Sequence, residues 1–510
     1  MSRLLSALAV LIVAGPVGAA PTQIRLSYMG QASSSVGVAW TTVSGTAGDT
    51  VEYGTTAGSY TSNATGKVTA IAGYGSVSEV TLVGLAAGTR YYYRVGSAAA
   101  GWSAAQAFST GPAEHPECGD VRFVAIGDSR AESWEGDKGV SITWGQLLLL
   151  AMQKQPALVL HTGDIVYDGT NLKQWSNHLA ATAPFSSQIP VLYALGNHDD
   201  GPGEGETANF NRLLHQPRSV AALGGSGTED YYFFTYANAI FIALSTTSFK
   251  GSNFAEQAAW LDKVLTQNPG RWRFVYLHHP IYTEYLFINH PPDEVGQNAA
   301  LVPVFNKHHV DLVFQGHNHF YERWVPSNCS SGGSKSPCPV ASYDQGTTCI
   351  TTGGGGAFPI FIPGGVNKVR LAASGAHHYM MLEVKNHVLT LETVDGTGKS
   401  IDTLTITKQV ASPDPCLAPA PDAGADAGPD AAAPIDGSQV DASGVSDARV
   451  VDVSTDAPRT EPGTPMDQGS GTGTDGCSCS IALDRHHRGI AAPLALLLLA
   501  VAGVRRRTRR

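Results

Sequence analysis

Hydrophobic and polar positions follow two regimes along the chain. Across residues 22–110 they alternate at short intervals, as at 35–40, 50–53 and 89–95, with Gly-rich turns between the runs. Successive side chains of a strand face opposite sides, so this alternation predicts a small antiparallel sandwich. No catalytic constellation falls within it. A structural platform is expected, with an adhesion module as the other reading.

From Asp120 to Thr407 the pattern changes. Apolar runs of strand type end abruptly in small clusters of Asp, Asn and His. Residues 121–126 lead to Gly127-Asp128, 157–160 to Gly163-Asp164 and Tyr167, and 190–195 to Gly196-Asn197-His198. Residues 273–277 lead to His278-His279, and 310–314 to Gly316-His317-Asn318-His319. Helical patterns stand between some of them, at 145–153, 255–266 and 297–307. Buried strands separated by helices predict a layered α/β sheet with its ligands at the strand C-terminal ends. The runs 231–236, 240–245, 380–384 and 388–394 are expected to supply a second sheet.

Each cluster alone is weak, because Gly-Asp and Gly-Asn are ordinary turn dipeptides. Five in series, each closing an apolar strand, are a specific signal. Oxygen and imidazole donors without Cys suit a pair of hard-to-borderline metals, and two metals can clamp both ends of a phosphoryl displacement. A Gly before each Asp or Asn lets the backbone turn tightly enough to aim the next side chain. The loop 316–319 can present two imidazoles at once.

This series, with Phe320-Tyr321-Glu322-Arg323 after its last cluster, resembles the purple acid phosphatase branch of the metallophosphoesterase (calcineurin-like) superfamily. Residues 85–94 resemble the late strands of fibronectin type III-like modules, which precede the catalytic domain in that branch. The resemblance covers about residues 22–407. It implies an N-terminal all-β fibronectin III-like sandwich (22–110) followed by an α/β metallophosphoesterase domain (120–407), a four-layer αββα sandwich. It also implies a binuclear centre of Fe(III) with divalent Fe, Zn or Mn. Carried over by position, Asp128, Tyr167 and His319 hold the first metal, Asp164 bridges, and Asn197, His278 and His317 hold the second. A phenolate at Tyr167 favours the ferric ion and the purple colour. His198 is the expected general acid or a supporting group, and His279 and His290 are further candidates near the leaving group. His377 and His378 are expected to be structural.

One departure stands out, because the family's Asp-Xaa-Gly reads Asp128-Ser129-Arg130 here. Arg130 is either a phosphate clamp or a solvated or salt-bridged side chain of a looser loop. The implied reaction is phosphomonoester hydrolysis by a metal-bound hydroxide, with a phosphorylated small molecule as substrate. A phosphodiesterase or nucleotidase on the same metals is the alternative, with the loop 327–348 able to cover the site. A non-catalytic surface adhesin is a further reading.

Composition adds location. Charged residues are 15% of the 510, with 57 Gly, a profile of a strand- and loop-rich exported protein. The net charge of −10 is concentrated in residues 411–476, which hold eleven Asp and one Glu against two Arg. The globular body is mildly acidic and offers no polyanion-tracking surface, so nucleic acid is not an expected partner. Arg3, an apolar run at 4–13 and small residues at 18–20 form a secretory signal, with a buried helix as the alternative. Residues 412–476 lack aromatic residues and read as a disordered stalk. Cys477-Ser478-Cys479, an apolar run at 489–504 and terminal arginines resemble a MYXO-CTERM-type sorting tail. That implies a membrane contact, a processing protease and a surface-held product; a plain membrane anchor is the alternative. Export makes Cys118, Cys329, Cys338, Cys349 and Cys416 disulfide candidates, two bridges and one leftover thiol.

Overall fold

The computed structural model describes residues 20–410, except 44, 204, 248–252, 285–289, 330–332 and 361–365, together with 412 and 414–416. The expected signal, nearly all of the stalk and the sorting tail lie outside the described residues.

Residues 22–109 form two facing antiparallel sheets. One has the order Thr22–Tyr28, Val36–Thr42, Gly75–Leu82, Lys67–Ile71. The other has Ser62–Thr65, Thr50–Gly54, Arg90–Ser97, Gly101–Trp102, with Gln106–Ser109 also paired to Arg90–Ser97. The inward members of the alternating runs, Trp40, Val51, Tyr93 and Phe108, are buried between them. The module is seated on the helix Leu172–Ser186 that follows the second cluster. Tyr93 Oη donates to the Ser187 carbonyl at 2.6 Å, and Ser186 Oγ to that of Ile24 at 3.0 Å.

Residues 120–407 form two stacked sheets. The first contains β1 (Asp120–Ile126), β2 (Leu158–His161) and β3 (Val191–Tyr193). The second begins with β4 (Tyr232–Tyr236), β5 (Ala239–Ala243), β6 (Trp272–Leu277) and β7 (Leu312–Gln315). It is completed by β8 (Tyr321–Trp324), β9 (Thr348–Thr352) and β10 (Arg370–Ser374). The chain then returns to the first sheet through β11 (His378–Lys385), β12 (Val388–Asp395) and β13 (Ser400–Thr407). The first sheet has the order β3-β2-β1-β11-β12-β13, and the second β4-β5-β6-β7-β9-β8-β10.

This corrects two expectations. The five cluster-bearing strands do not share one sheet, since β1, β2 and β3 lie in the first and β6 and β7 in the second. Nor do the four other runs make a sheet of their own: β4 and β5 join β6, while β11 and β12 join β1. Every one of these strands is apolar on at least one face, and that pattern is indifferent to which neighbour it pairs with. The partition is decided where the sheets meet. Phe123 of β1 lies against Phe241 and Phe274, each with ring centroids 5.1 Å away. Such ring pairs contribute about 0.5–1.5 kcal/mol beyond the area they bury, and Phe123→Ala should cost about 3–5 kcal/mol.

Helices cover the outer faces, giving the expected αββα layering. Ile142–Met152, capped by Ser141, lays Trp144, Leu147 and Leu148 on the first sheet together with Leu172–Ser186. Phe254–Gln267 and Asn298–His308 cover the second with Trp260, Leu261 and Phe305. Disulfides join Cys118 to Cys416 and Cys329 to Cys338, and Cys349 is a buried thiol, which accounts for the odd number. The loop 327–348 is folded by the second bridge against Tyr282, Asn298 and Asn306, on the outer side of the second sheet.

Candidate metal centre

All five clusters leave their strands at the same edge of the two-sheet stack. The turns that aim them are tight. Asp128, Asp164 and His317 have φ of 57°, 56° and 68°, a left-handed conformation that costs a non-Gly residue energy and collects at functional sites. The glycines beside them permit close approach. A Cβ on Gly163, itself at φ +93°, would lie 2.7 Å from His278 Nδ1, and one on Gly196 would lie 2.1 Å from the Asp164 amide.

Four of the expected ligands converge on one point. Asn197 Oδ1 lies 2.9 Å from both His278 Nε2 and His317 Nδ1; these two nitrogens are 3.2 Å apart, and Asp164 Oδ1 is 3.1 Å from His278 Nε2. The far nitrogens settle the ring protons. His278 Nδ1 donates to the Thr162 carbonyl at 2.9 Å, and His317 Nε2 faces Glu294 Oε2 at 3.0 Å. With those protons placed outward, two lone pairs, an amide oxygen and a carboxylate oxygen turn on a shared centre. Four acceptors around one point fit a cation. In the metal-free chain a proton substitutes for it: burial opposes charge on His278, but Asp164 and Asp128 prevail and raise its pKa to about 9. Asp164 is correspondingly held well below the usual carboxylate range, as His278, His198 and Arg130 outweigh burial; Asp128 is pushed well above it, chiefly by burial.

The other half is built differently. His319 Nδ1 donates to the Phe358 carbonyl at 2.8 Å, so its Nε2 lone pair points inward, 3.6 Å from Asp128 Oδ1. Burial, then Arg130, lowers the His319 pKa to about 3. Arg130 is 6% exposed and lies among these donors. Its Nε is 3.3 Å from Asp164 Oδ2, its Nη2 3.3 Å from His319 Nε2, and its Cζ 5.2 Å from the Tyr167 ring centroid. Its Nη1 is 3.2 Å from Glu132 Oε1. The guanidinium is therefore neither solvated nor projecting as a free clamp. Asp128, Asp164, Tyr167 and His319 surround a positive charge, and here the chain supplies it.

The candidate acid–base groups separate by exposure. His198 stands on the open side; its Nδ1 donates to the Tyr167 carbonyl at 2.7 Å, and its Nε2 is 4.0 Å from Asp164 Oδ2. Burial lowers its pKa, with Asp164 opposing. His290 is at the rim, its Nδ1 in contact with His317 Nε2 and 3.6 Å from Glu294 Oε2. His279 is 1% exposed and turned inward, with Nδ1 3.1 Å from Thr246 Oγ1 and its ring beside His317. It supports the cluster from behind, which corrects the expectation that it reaches the leaving group. His378 is buried against Thr352, a structural role as expected.

Two contributors were not singled out from the sequence. Glu294 orients His317, and nothing local in its segment announces it. Buried Asp199 accepts from the Ile165 and Gly196 amides at 2.7 and 2.9 Å, tying two clusters together. Burial, then Asp164, raises its pKa to about 7. Its place directly after Asn197-His198 was the available signal.

Comparison with known proteins agrees with this architecture. Residues 21–110 match the family described as "Purple acid Phosphatase, N-terminal domain", and residues 121–321 match "Calcineurin-like phosphoesterase". A phosphoenolpyruvate phosphatase of Allium cepa is 28% identical over 66% of this chain and 70% of its own. An Fe(3+)-Zn(2+) purple acid phosphatase 12 of Arabidopsis thaliana is 27% identical over 52% of this chain and 56% of its own. The solved purple acid phosphatase PPD1 from yellow lupin (Lupinus luteus) seeds shares the fold, with a TM-score of 0.63, 20% identity, and coverage of 76% of this chain and 74% of that one.

Proposed function

Because this chain joins a purple acid phosphatase N-terminal domain to a calcineurin-like phosphoesterase domain, we propose that it hydrolyses phosphomonoesters as a binuclear-metal acid phosphatase. The convergence of Asp164, Asn197, His278 and His317 carries this reading. These four would hold the divalent ion. Asp128, Tyr167 and His319, with Asp164 shared, would hold the ferric ion, in line with the metals named for the Arabidopsis relative. When bound, the metal pair supplies charge that polarises the phosphoryl group and acidifies the attacking water.

The chain's own groups do the rest. Thr162 and Glu294 keep His278 and His317 in the tautomers that present lone pairs. The Tyr167 carbonyl holds the Nδ1 proton of His198, so the proton that His198 gives to the leaving oxygen is the one on Nε2, on the open side. Arg130 keeps positive charge between Asp164 and His319 and has Glu132 as its remaining partner when a metal takes those two acceptors. His290 stands at the rim as a second proton donor.

The reading extends to location. Two disulfides suit an oxidising compartment, consistent with an exported enzyme whose signal precedes residue 21. The stalk would tether the enzyme at the cell surface, with a processing protease cutting the 477–510 tail near Cys477-Ser478-Cys479. Among the described residues no helix is long and apolar enough to cross a membrane. The decisive experiment is metal analysis with phosphomonoester hydrolysis on wild type and Asp164→Ala. Loss of both metals and a more than 100-fold fall in kcat/KM (about 3 kcal/mol or more) is expected; full activity with two metals retained would refute the assignment.

A further inference from the structure

We propose that Trp134 and Phe358 form an aromatic wall beside the metal centre that holds a planar aromatic leaving group, so that aryl or nucleoside monophosphates are preferred over aliphatic ones. This rests on the phosphomonoesterase reading and adds a substrate class to it. Trp134 is 70% exposed and Phe358 65%, the two Trp or Phe side chains more than half exposed among the described residues. Their rings meet edge to face, with centroids 6.2 Å apart and planes at 76°.

What distinguishes this pair from scattered surface apolar groups is how its backbone is held. The Phe358 carbonyl accepts from His319 Nδ1 at 2.8 Å, and its amide donates to Glu132 Oε1 at 2.7 Å. One residue earlier, the Ala357 amide donates to the Asp128 carbonyl at 2.8 Å. Trp134 stands two residues after Glu132, on the short turn Ser133–Lys138, and Glu132 also pairs with Arg130 at 3.2 Å. The Phe358 ring thus grows from a segment pinned to His319 and Asp128, and the Trp134 ring from one pinned through Glu132 to Arg130, while the rings themselves remain in water. Exposed ring faces gain by covering another π-face. A phosphoryl group at the centre carries its leaving group only a few bonds away, and the Phe358 backbone is one hydrogen bond from His319. An alkyl leaving group has no face to offer. A two-ring patch is also small for a protein or lipid partner, which needs a larger contiguous apolar area.

The experiment compares kcat/KM of the metal-loaded full-length enzyme for phenyl phosphate, adenosine monophosphate and glycerol phosphate. Stacking of this kind is worth about 5- to 150-fold. Trp134→Ala and Phe358→Ala should each lower the aromatic-to-glycerol ratio by roughly that factor, mostly through KM, and Trp134→Phe should restore part of it. The phenyl and adenosine arms separate an aryl from a nucleoside preference. A second readout needs no turnover: adenosine or phenol should quench wild-type fluorescence, and the quench should disappear in Trp134→Phe. Unchanged ratios in both Ala variants, or quenching that survives Trp134→Phe, would overturn the wall. If wild type hydrolyses no monoester at all, the phosphatase reading fails, and the quenching alone decides whether the rings bind aromatic ligands.

Discussion

Arg130 Nε lies 3.3 Å from Asp164 Oδ2, the carboxylate expected to be shared by both metals. The same guanidinium is 3.3 Å from His319 Nε2, so a chain-borne cation stands on two acceptors that the proposed first metal would also need. That contact divides the site into two unequal halves. One would accept an ion directly; the other would exchange the guanidinium for one.

The first prediction concerns that exchange. Arg130→Gly removes the competitor and leaves Asp128 and Asp164 buried without it. One of the two metals should then leave more slowly under a chelator than in wild type, while the other keeps its rate. A charge-assisted hydrogen bond is worth about 1.5–3 kcal/mol, so the affinity gain should be roughly 10- to 150-fold. Identical release curves for the two proteins would show that Arg130 does not compete.

A second prediction concerns colour. Iron-loaded wild type should absorb in the visible, and Tyr167→Phe should bleach that band. Tyr167 is half-buried at the site rim, so the melting temperature should stay within a few degrees, corresponding to about 1 kcal/mol. A colourless wild type with stoichiometric iron rules out Tyr167 as a ligand.

Glu294 provides the third. Its carboxylate faces His317 Nε2 at 3.0 Å and orients the ring. Carboxylate partners of ligating histidines are typically worth 10- to 100-fold in metal affinity. Glu294→Gln should weaken retention of the divalent ion by about that factor and spare the ferric ion; equal retention of both would remove Glu294 from the site.

The fourth follows from His278. Its pKa rises from 6.5 unfolded to about 9 folded in the metal-free chain, because Asp164 and Asp128 outweigh burial. A raised pKa contributes stability fully present below pH 6.5 and lost as pH climbs through 9. The chelator-treated protein should therefore melt at progressively lower temperature from about pH 6.5 to 9, and the metal-loaded protein should lack this component. Parallel melting curves with and without metal over that range would contradict it.

The donors were legible because their chemistry is local. An apolar strand, a Gly and an Asp or His are consecutive residues, and the same short-range turn sterics that set φ of Asp128 and Asp164 act wherever that order occurs. The sandwich was legible for the same reason, since strand alternation needs no knowledge of partners. Helix Leu172–Ser186 was not read, because its buried face mixes Trp175 and Leu179 with the polar Gln174, His178 and Thr182, which dilutes its apolar period.

The amino-acid order by itself determined which residues could bind metal, at the ends of which strands, and that five cysteines must leave one thiol. Tertiary structure alone decided how the strands divide between two sheets, which cysteines pair, that His279 faces inward, and that Arg130 sits between Asp164 and His319. It alone placed Glu294 behind His317 and Trp134 against Phe358, 224 positions apart in the chain. Each of these outcomes depends on packing between distant segments. A local pattern specifies what a residue can do, and only the closed core specifies which other residue it meets.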